Sequence, residues 1–165
     1  MIALKHILVA TDFEEAAEAA FAYGRGLARA FQASLHVIHV VDDVASRAAL
    51  MAGYDIDFRK IQDDVEQAAR KQLEDMLSDE DRTQLGAKAV VVASASPAQA
   101  VVDYATDAQV NLIVVGTHGR GPAARFFVGS VAERVGRMAP CPVLTVRHPE
   151  REFVLPDALQ PVAKA

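Results

Sequence analysis

The sequence predicts an α/β protein: an open parallel sheet of five strands with helices on both faces. Three observations lead there. Five short runs rich in valine and isoleucine recur along the chain, the segments between them repeat apolar residues at helical spacing, and the two kinds of segment alternate. With 165 residues, 52% hydrophobic and 24% charged, the chain has the balance of one ordinary globular domain. At this length folding buries about 70% of the surface of the unfolded chain, so a core forms without metal or disulfide staples.

The strand-like runs are Ile7 to Ala10, Leu35 to Val41, Ala87 to Ala93, Leu112 to Val115 and Val143 to Val146. Most are apolar on successive positions, as expected of parallel strands covered on both faces. Between the first two, Ala16, Ala17, Ala20, Tyr23, Gly24, Leu27, Ala28 and Phe31 fall at three-to-four spacing, and Ile61, Val65, Ala68, Leu73, Met76 and Leu77 do so before the third. Ser96-Pro97-Ala98-Gln99 predicts a serine N-cap with proline at the first helical position, for a helix running to about Asp107. Ser130 and Glu133 have capping-box spacing and predict a last helix that ends before Pro140. Residues 42–56 read as a long irregular loop, and residues 149–165 as a tail without periodicity beyond a domain of residues 1–148. Right-handed crossovers turn the β-α-β-α-β-α-β-α-β order into an open sheet with helices on both sides.

Charge excludes some partners. A formal charge of -5 offers no overall footprint for nucleic acid, so any anion site must be local. Residues 42–81 hold twelve Asp/Glu against five Lys/Arg, whereas residues 116–137 hold Arg120, Arg125, Arg134 and Arg137 against Glu133. The single cysteine, Cys141, allows no internal disulfide and fits a reducing compartment. Lys5, His6 and Asp12 break up the start of the chain before an apolar run long enough for a signal peptide, and no uncharged stretch approaches membrane-spanning length. The expectation is a soluble cytoplasmic protein with no membrane partner.

In open α/β sheets ligands sit beyond the carboxyl ends of the strands, which directs attention to the segment after the fourth strand. It runs Gly116-Thr117-His118-Gly119-Arg120-Gly121-Pro122 and on to Phe127-Val128-Gly129-Ser130, a G-x-x-G-x9-G-S spacing. Glycines let main-chain amides approach a bulky anion, and the first N–H groups of the helix that follows favour phosphate. The dipole of a helix terminus contributes about 0.3–1 kcal/mol, so hydrogen bonds must supply most of the affinity. Turn formation and helix capping explain the same residues singly; their concentration in one loop favours phosphate.

The spacing, the strings GTHGRG, VGSVAERV and APCPVLTVR, and the opening KHILVATDF resemble the universal stress protein family over residues 1 to about 148. The resemblance implies a flavodoxin-like, Rossmann-like three-layer sandwich with strand order 3-2-1-4-5. It further implies a homodimer through the last strand (Val143, Leu144, Thr145, Val146) and, in the nucleotide-binding branch, ATP held with Mg²⁺ between strands one and four. On that pattern the nucleotide-binding residues are Ala10, Thr11 and Asp12 after strand one, Val40 by its main chain at the adenine, and Gly116, Thr117, His118, Gly119, Arg120, Gly129, Ser130 and Val131 around ribose and phosphates. The metal ligands are left open; apart from the resemblance, Asp12 and Asp42 are the candidate carboxylates to hold Mg²⁺ through ATP. The chain departs from the pattern at Glu14, where the family often has serine, and at Ala95, where it frequently has glycine. Asp12 and Glu15 also have capping-box spacing, which sets a helix-cap role for Asp12 beside the ligand role.

Other chemistries fit less well. Gly119-Arg120-Gly121-Pro122-Ala123-Ala124 matches a dinucleotide fingerprint, yet the helix is expected to start only at Ser130 and Leu144 stands where an acidic residue is needed. No P-loop motif is present. Among His6, His36, His39, His118 and His148 no pair has metal spacing; His36 and His39, three apart on a strand, point to opposite faces. No residue stands out as a base to orient water, so slow ATP hydrolysis is the most that is expected, and no catalytic residue is assigned. The readings carried forward are an ATP-binding stress-response regulator or adaptor with an unknown protein partner, a weak ATPase or hydrolase using the same crevice, and a nucleotide-free dimeric adaptor.

Overall fold

A computed structural model of the protein describes residues 2–47, 57–117 and 129–147. Five strands, β1 (His6–Ala10), β2 (Ser34–Val41), β3 (Lys88–Ala93), β4 (Leu112–Thr117) and β5 (Val143–Arg147), form one parallel sheet in the order β3-β2-β1-β4-β5. Both the open parallel sheet and the 3-2-1-4-5 order agree with expectation. Four strands extend the apolar runs by one or two residues, because end positions such as Ser34 and Arg147 pair in the ladder without being apolar, whereas β3 begins one residue later than expected, at Lys88.

Among the described residues six helices connect them: α1 (Glu15–Phe31), α2 (Val44–Arg47), α3 (Phe58–Met76), α4 (Asp79–Leu85), α5 (Pro97–Asp107) and α6 (Ser130–Met138). Alternate strand residues feed two cores. Ile7, Val9, Leu35, Val37 and Val114 pack with Ala20, Phe21 and Ala28 of α1 and with Leu73 and Leu85 of α3 and α4. On the other face Leu8, Ile38, Ile113 and Val115 pack with Val101 and Ala105 of α5 and Val135 of α6. Gly24 lets α1 lie close to β1, since a Cβ there would overlap the Val9 side chain.

Two helices escape the apolar pattern. One turn, α2, occupies part of the segment expected to be irregular, fastened by the Val44 amide donating to Gln62 Oε1 at 2.8 Å. The seven-residue α4 begins with a capping box: Asp81 N donates to Ser78 Oγ and Ser78 N donates to Asp81 Oδ2, both at 3.1 Å. Asp81 is fully buried, its Oδ2 lying 2.9 Å from Arg25 Nη2 and its Oδ1 3.5 Å from Arg29 Nη2, so one carboxylate joins α4 to α1.

Two expected caps are corrected. Ser96 does occupy the N-cap of α5 with Pro97 behind it, but its hydroxyl makes no cap bond; Ser94 Oγ instead accepts from Ser96 N at 3.0 Å. At α6 the N-cap is Gly129 and Ser130 is already the first helical residue, so Glu133 closes no capping box and pairs with Arg137 at 2.7 Å. The tail expected at residues 149–165, together with His148, lies outside the described residues.

His36 and His39 face opposite sides of the sheet, as the strand period requires. His36 is buried against α5, with Nδ1 3.0 Å from the Tyr104 hydroxyl and Nε2 3.4 Å from Ser34 Oγ. Burial, with Lys88 and His6 nearby adding positive charge, lowers its pKa from 6.5 to about 4. The unfolded chain therefore takes up a proton between those values that the folded chain refuses, and stability falls as pH drops from about 6.5 to about 4. Urea unfolding at pH 7 and pH 4.5 is expected to show an acid loss about 2 kcal/mol smaller in His36→Leu than in the unsubstituted chain, the remainder coming from carboxylates common to both. Equal acid losses in the two proteins would refute the assignment.

Candidate functional site

The strand order creates the site before any side chain is considered. From β1 the chain leaves to α1 on one face, and from β4 it leaves to α6 on the other, so a crevice opens beyond the carboxyl ends of these neighbouring strands. A cavity of about 400 Å³ lies there. Its apolar lining comes from Ala10, Ile38, Val40, Val101, Val115 and Ala132, with Ala16 and Ala17 from the first turn of α1.

Gly116 shapes this crevice by packing. An added Cβ would overlap the Ala16 carbonyl and lie 2.8 Å from Ala17 N, so α1 presses its main chain directly onto β4. Only a residue without a side chain permits that approach. Close helix packing, which anion binding does not require, thus explains the first glycine of the loop.

The polar groups of the cavity are mostly main chain. In β2, Ile38 O accepts from Thr11 N at 2.9 Å on the β1 side, while Val41 O accepts from Ser94 N at 3.0 Å on the β3 side. Backbone alternation therefore turns the N–H and C=O of Val40 toward the β1 side, beyond the end of that strand at Ala10. Across the crevice, Glu133 N donates to Gly129 O at 2.9 Å as the first bond of α6, which leaves the amides of Ser130, Val131 and Ala132 without intrahelical acceptors. Gly129, Ser130 and Val131 all line the cavity.

The β1–α1 turn supplies the third side. Thr11 Oγ1 accepts from Phe13 N and Asp12 Oδ1 accepts from Glu14 N, both at 3.0 Å. Glu14 is the N-cap of α1, so the Asp12–Glu15 capping box does not form; Asp12 instead makes a tight turn onto the residue two positions on. Among the described cavity-lining residues Asp12 is the one carboxylate, and no lysine or arginine joins it. Among the described residues no group of three or more His, Cys, Asp or Glu is placed to hold a metal ion. Asp42, the other expected metal carboxylate, does not line the cavity.

Of the expected ligand residues, the structure brings Ala10, Thr11, Asp12, Val40, Gly116, Gly129, Ser130 and Val131 to one cavity. Thr117 is the exception: its buried hydroxyl donates to Val146 O at 3.2 Å and ties β4 to β5. His118, Gly119 and Arg120 lie outside the described residues. The sequence reading missed His39, Pro97 and Val101, which also line the cavity. His39 stood one residue before Val40 at a strand's carboxyl end, the position that signals a ligand crevice, but was weighed there only as a metal ligand.

Comparison with known proteins gives the family. The universal stress protein family model matches residues 3–147. The chain belongs to the universal stress protein family. A universal stress protein of Methanocaldococcus jannaschii is 29% identical over 150 residues, covering 90% of this chain and 85% of that one. A family relative from Staphylococcus aureus is 33% identical over 166 residues, covering 98% and 92%. Among solved structures, a family protein from Burkholderia pseudomallei aligns with TM-score 0.65 and 29% identity over 87% of this chain and 96% of that one. A universal stress protein solved in complex with cAMP aligns with TM-score 0.55 and 25% identity over 88% and 98%. One from Archaeoglobus fulgidus in complex with dAMP aligns with TM-score 0.58 and 22% identity over 88% and 99% and shares the fold.

The packing role of Gly116 is testable without ligand. Gly116→Ala forces its methyl into the backbone of α1 and is expected to cost about 1–3 kcal/mol in urea unfolding. A variant as stable as the unsubstituted chain would show that α1 does not rest on β4.

Proposed function

We propose that this universal stress protein binds an adenine nucleotide, ATP with Mg²⁺, in the crevice between β1 and β4, and acts through it as a stress-response regulator or adaptor. The observation that carries the reading is the pairing of main-chain groups that have no main-chain partner among the described residues, at the two ends of one apolar cavity: the Val40 peptide edge at one, the first amides of α6 at the other. A peptide edge offers one donor and one acceptor, which suits the edge of adenine, and a helix amino terminus suits phosphate. The volume, about 400 Å³, falls within the range of about 300–1,000 Å³ usual for small-molecule sites. The neighbour solved with cAMP adds support from an adenine nucleotide on the same fold.

A metal ion fits only as a companion of the phosphates. Mg²⁺ is commonly held by one or two carboxylates together with substrate phosphates, and Asp12 is the carboxylate on hand. It would supply charge neutralisation to the triphosphate. The described cavity lining includes His39 and Asp12 as titratable groups, and binding is the reading put forward.

Calorimetry is expected to show saturable binding of ATP in preference to NADH, and Gly129→Leu, which crowds the amino end of α6, is expected to weaken it at least about tenfold. Unchanged affinity in that variant would overturn the phosphate end of the proposal. No heat and no thermal shift at millimolar ATP and Mg²⁺ would favour the nucleotide-free adaptor.

We also infer a homodimer through β5. This strand pairs with β4 along one edge and forms one border of the sheet, and a short apolar border strand is a template for pairing with a second copy. Leu144→Lys is expected to give monomers by light scattering; an unchanged dimer would assign the interface elsewhere.

A further inference from the structure

We propose that His39 is a positioning residue: its imidazole latches the turn from Thr11 to Glu14 into the shape that forms one wall of the ligand cavity. The proposal rests on the adenine-nucleotide reading for its effect on affinity, and on geometry alone for its effect on the turn.

His39 follows Ile38, the last β2 residue paired with β1, so it stands where the two strands part. Its Nδ1 lies 2.8 Å from the Thr11 carbonyl oxygen. A carbonyl only accepts, so Nδ1 carries the hydrogen and donates it across the opening between β2 and the turn. The ring also lies 4.4 Å from the Phe13 ring, tilted by 39°. Phe13 has φ 64°, in the left-handed region, a conformation that a bulky L-residue keeps only where its surroundings hold it.

One side chain thus supports a four-residue turn at two points, a carbonyl and a ring. The turn's own bonds, Phe13 N to Thr11 Oγ1 and Glu14 N to Asp12 Oδ1, depend on the backbone staying where these contacts put it. Thr11 and Asp12 line the cavity, and the turn hands the chain directly to Ala16 and Ala17 of the same wall. If the latch is lost, the turn relaxes Phe13 toward negative φ and the wall moves with it.

Two substitutions separate the bond from the ring. His39→Asn keeps an N–H donor at the position of Nδ1 without a ring, whereas His39→Phe keeps a ring without the donor. Three readouts are compared: ATP affinity by calorimetry, melting temperature, and ligand-free amide exchange at Phe13 and Glu14 with Leu8 in β1 as the internal reference. His39→Phe is expected to speed exchange at Phe13 and Glu14 by about tenfold with Leu8 unchanged, and to weaken ATP binding by about tenfold, the effect of one lost hydrogen bond. His39→Asn, which gives up the ring contact but keeps the bond, is expected to show the smaller losses, both within about threefold of the unsubstituted chain even where it lowers the melting temperature as much. Exchange unchanged in His39→Phe would overturn the latch, as would affinity losses that track melting temperature equally in both variants. Absence of ATP binding in the unsubstituted chain would overturn the nucleotide reading, and the exchange rates would still decide whether His39 holds the turn.

Discussion

The contact on which the site depends is main chain against main chain, where the first turn of α1 meets β4 at Gly116. It sets the depth of the crevice: α1 lies as near the sheet as backbone atoms permit, and the two alanines that face the cavity from that turn, Ala16 and Ala17, add little bulk. A larger residue at any of the three would fill the cavity or lift the helix. The same economy of side chains recurs along the wall, at Ala10 and Ala132. A fold that recognises a ligand by peptide groups needs small residues there, because every side-chain atom in the crevice keeps the backbone from its partner.

In the proposed reading, recognition by peptide groups is also what lets an acidic chain offer a phosphate site. The net charge is -5 and Asp12 is the carboxylate of the described cavity lining, so long-range attraction does not gather the anion. Donors at a helix amino terminus act at contact distance, where their direction matters more than the charge of the whole molecule. Such a site selects by shape.

Much of this was legible in the sequence, for identifiable reasons. The strands announced themselves because burial on both faces demands apolar runs, unbroken in β1, β3 and β4 and interrupted by His36 and His39 in β2 and by Thr145 in β5. The loop after β4 stood out because glycine is the residue that backbone crowding selects, although at Gly116 the crowding comes from α1. Less legible were elements held by polar contacts. The short α4 buries Asp81 and Leu85 and begins at Ser78-Asp79-Glu80-Asp81, a capping signal that hydrophobic periodicity ignores. The role of Ser130 was misjudged for a related reason: spacing to Glu133 suggests a cap, but Gly129 takes that place and the helix starts one residue earlier than a serine cap would allow. His39 was hidden because its partners, Thr11 and Phe13, lie far away in sequence and meet it only when β1 and β2 end side by side.

The link between Arg25 and Asp81 has a consequence for solution behaviour. Asp81 has no exposed surface, and Arg25, 30% exposed, lies 4.3 Å from the Phe21 ring centroid, so ions in the medium reach the contact only from the arginine side. Pairs such as Lys71 with Asp75 sit in open water and fade as electrolyte is added. The tie between α1 and α4 is screened less than such pairs. In dilute buffer or brine alike, the end of α1 farthest from the crevice stays moored.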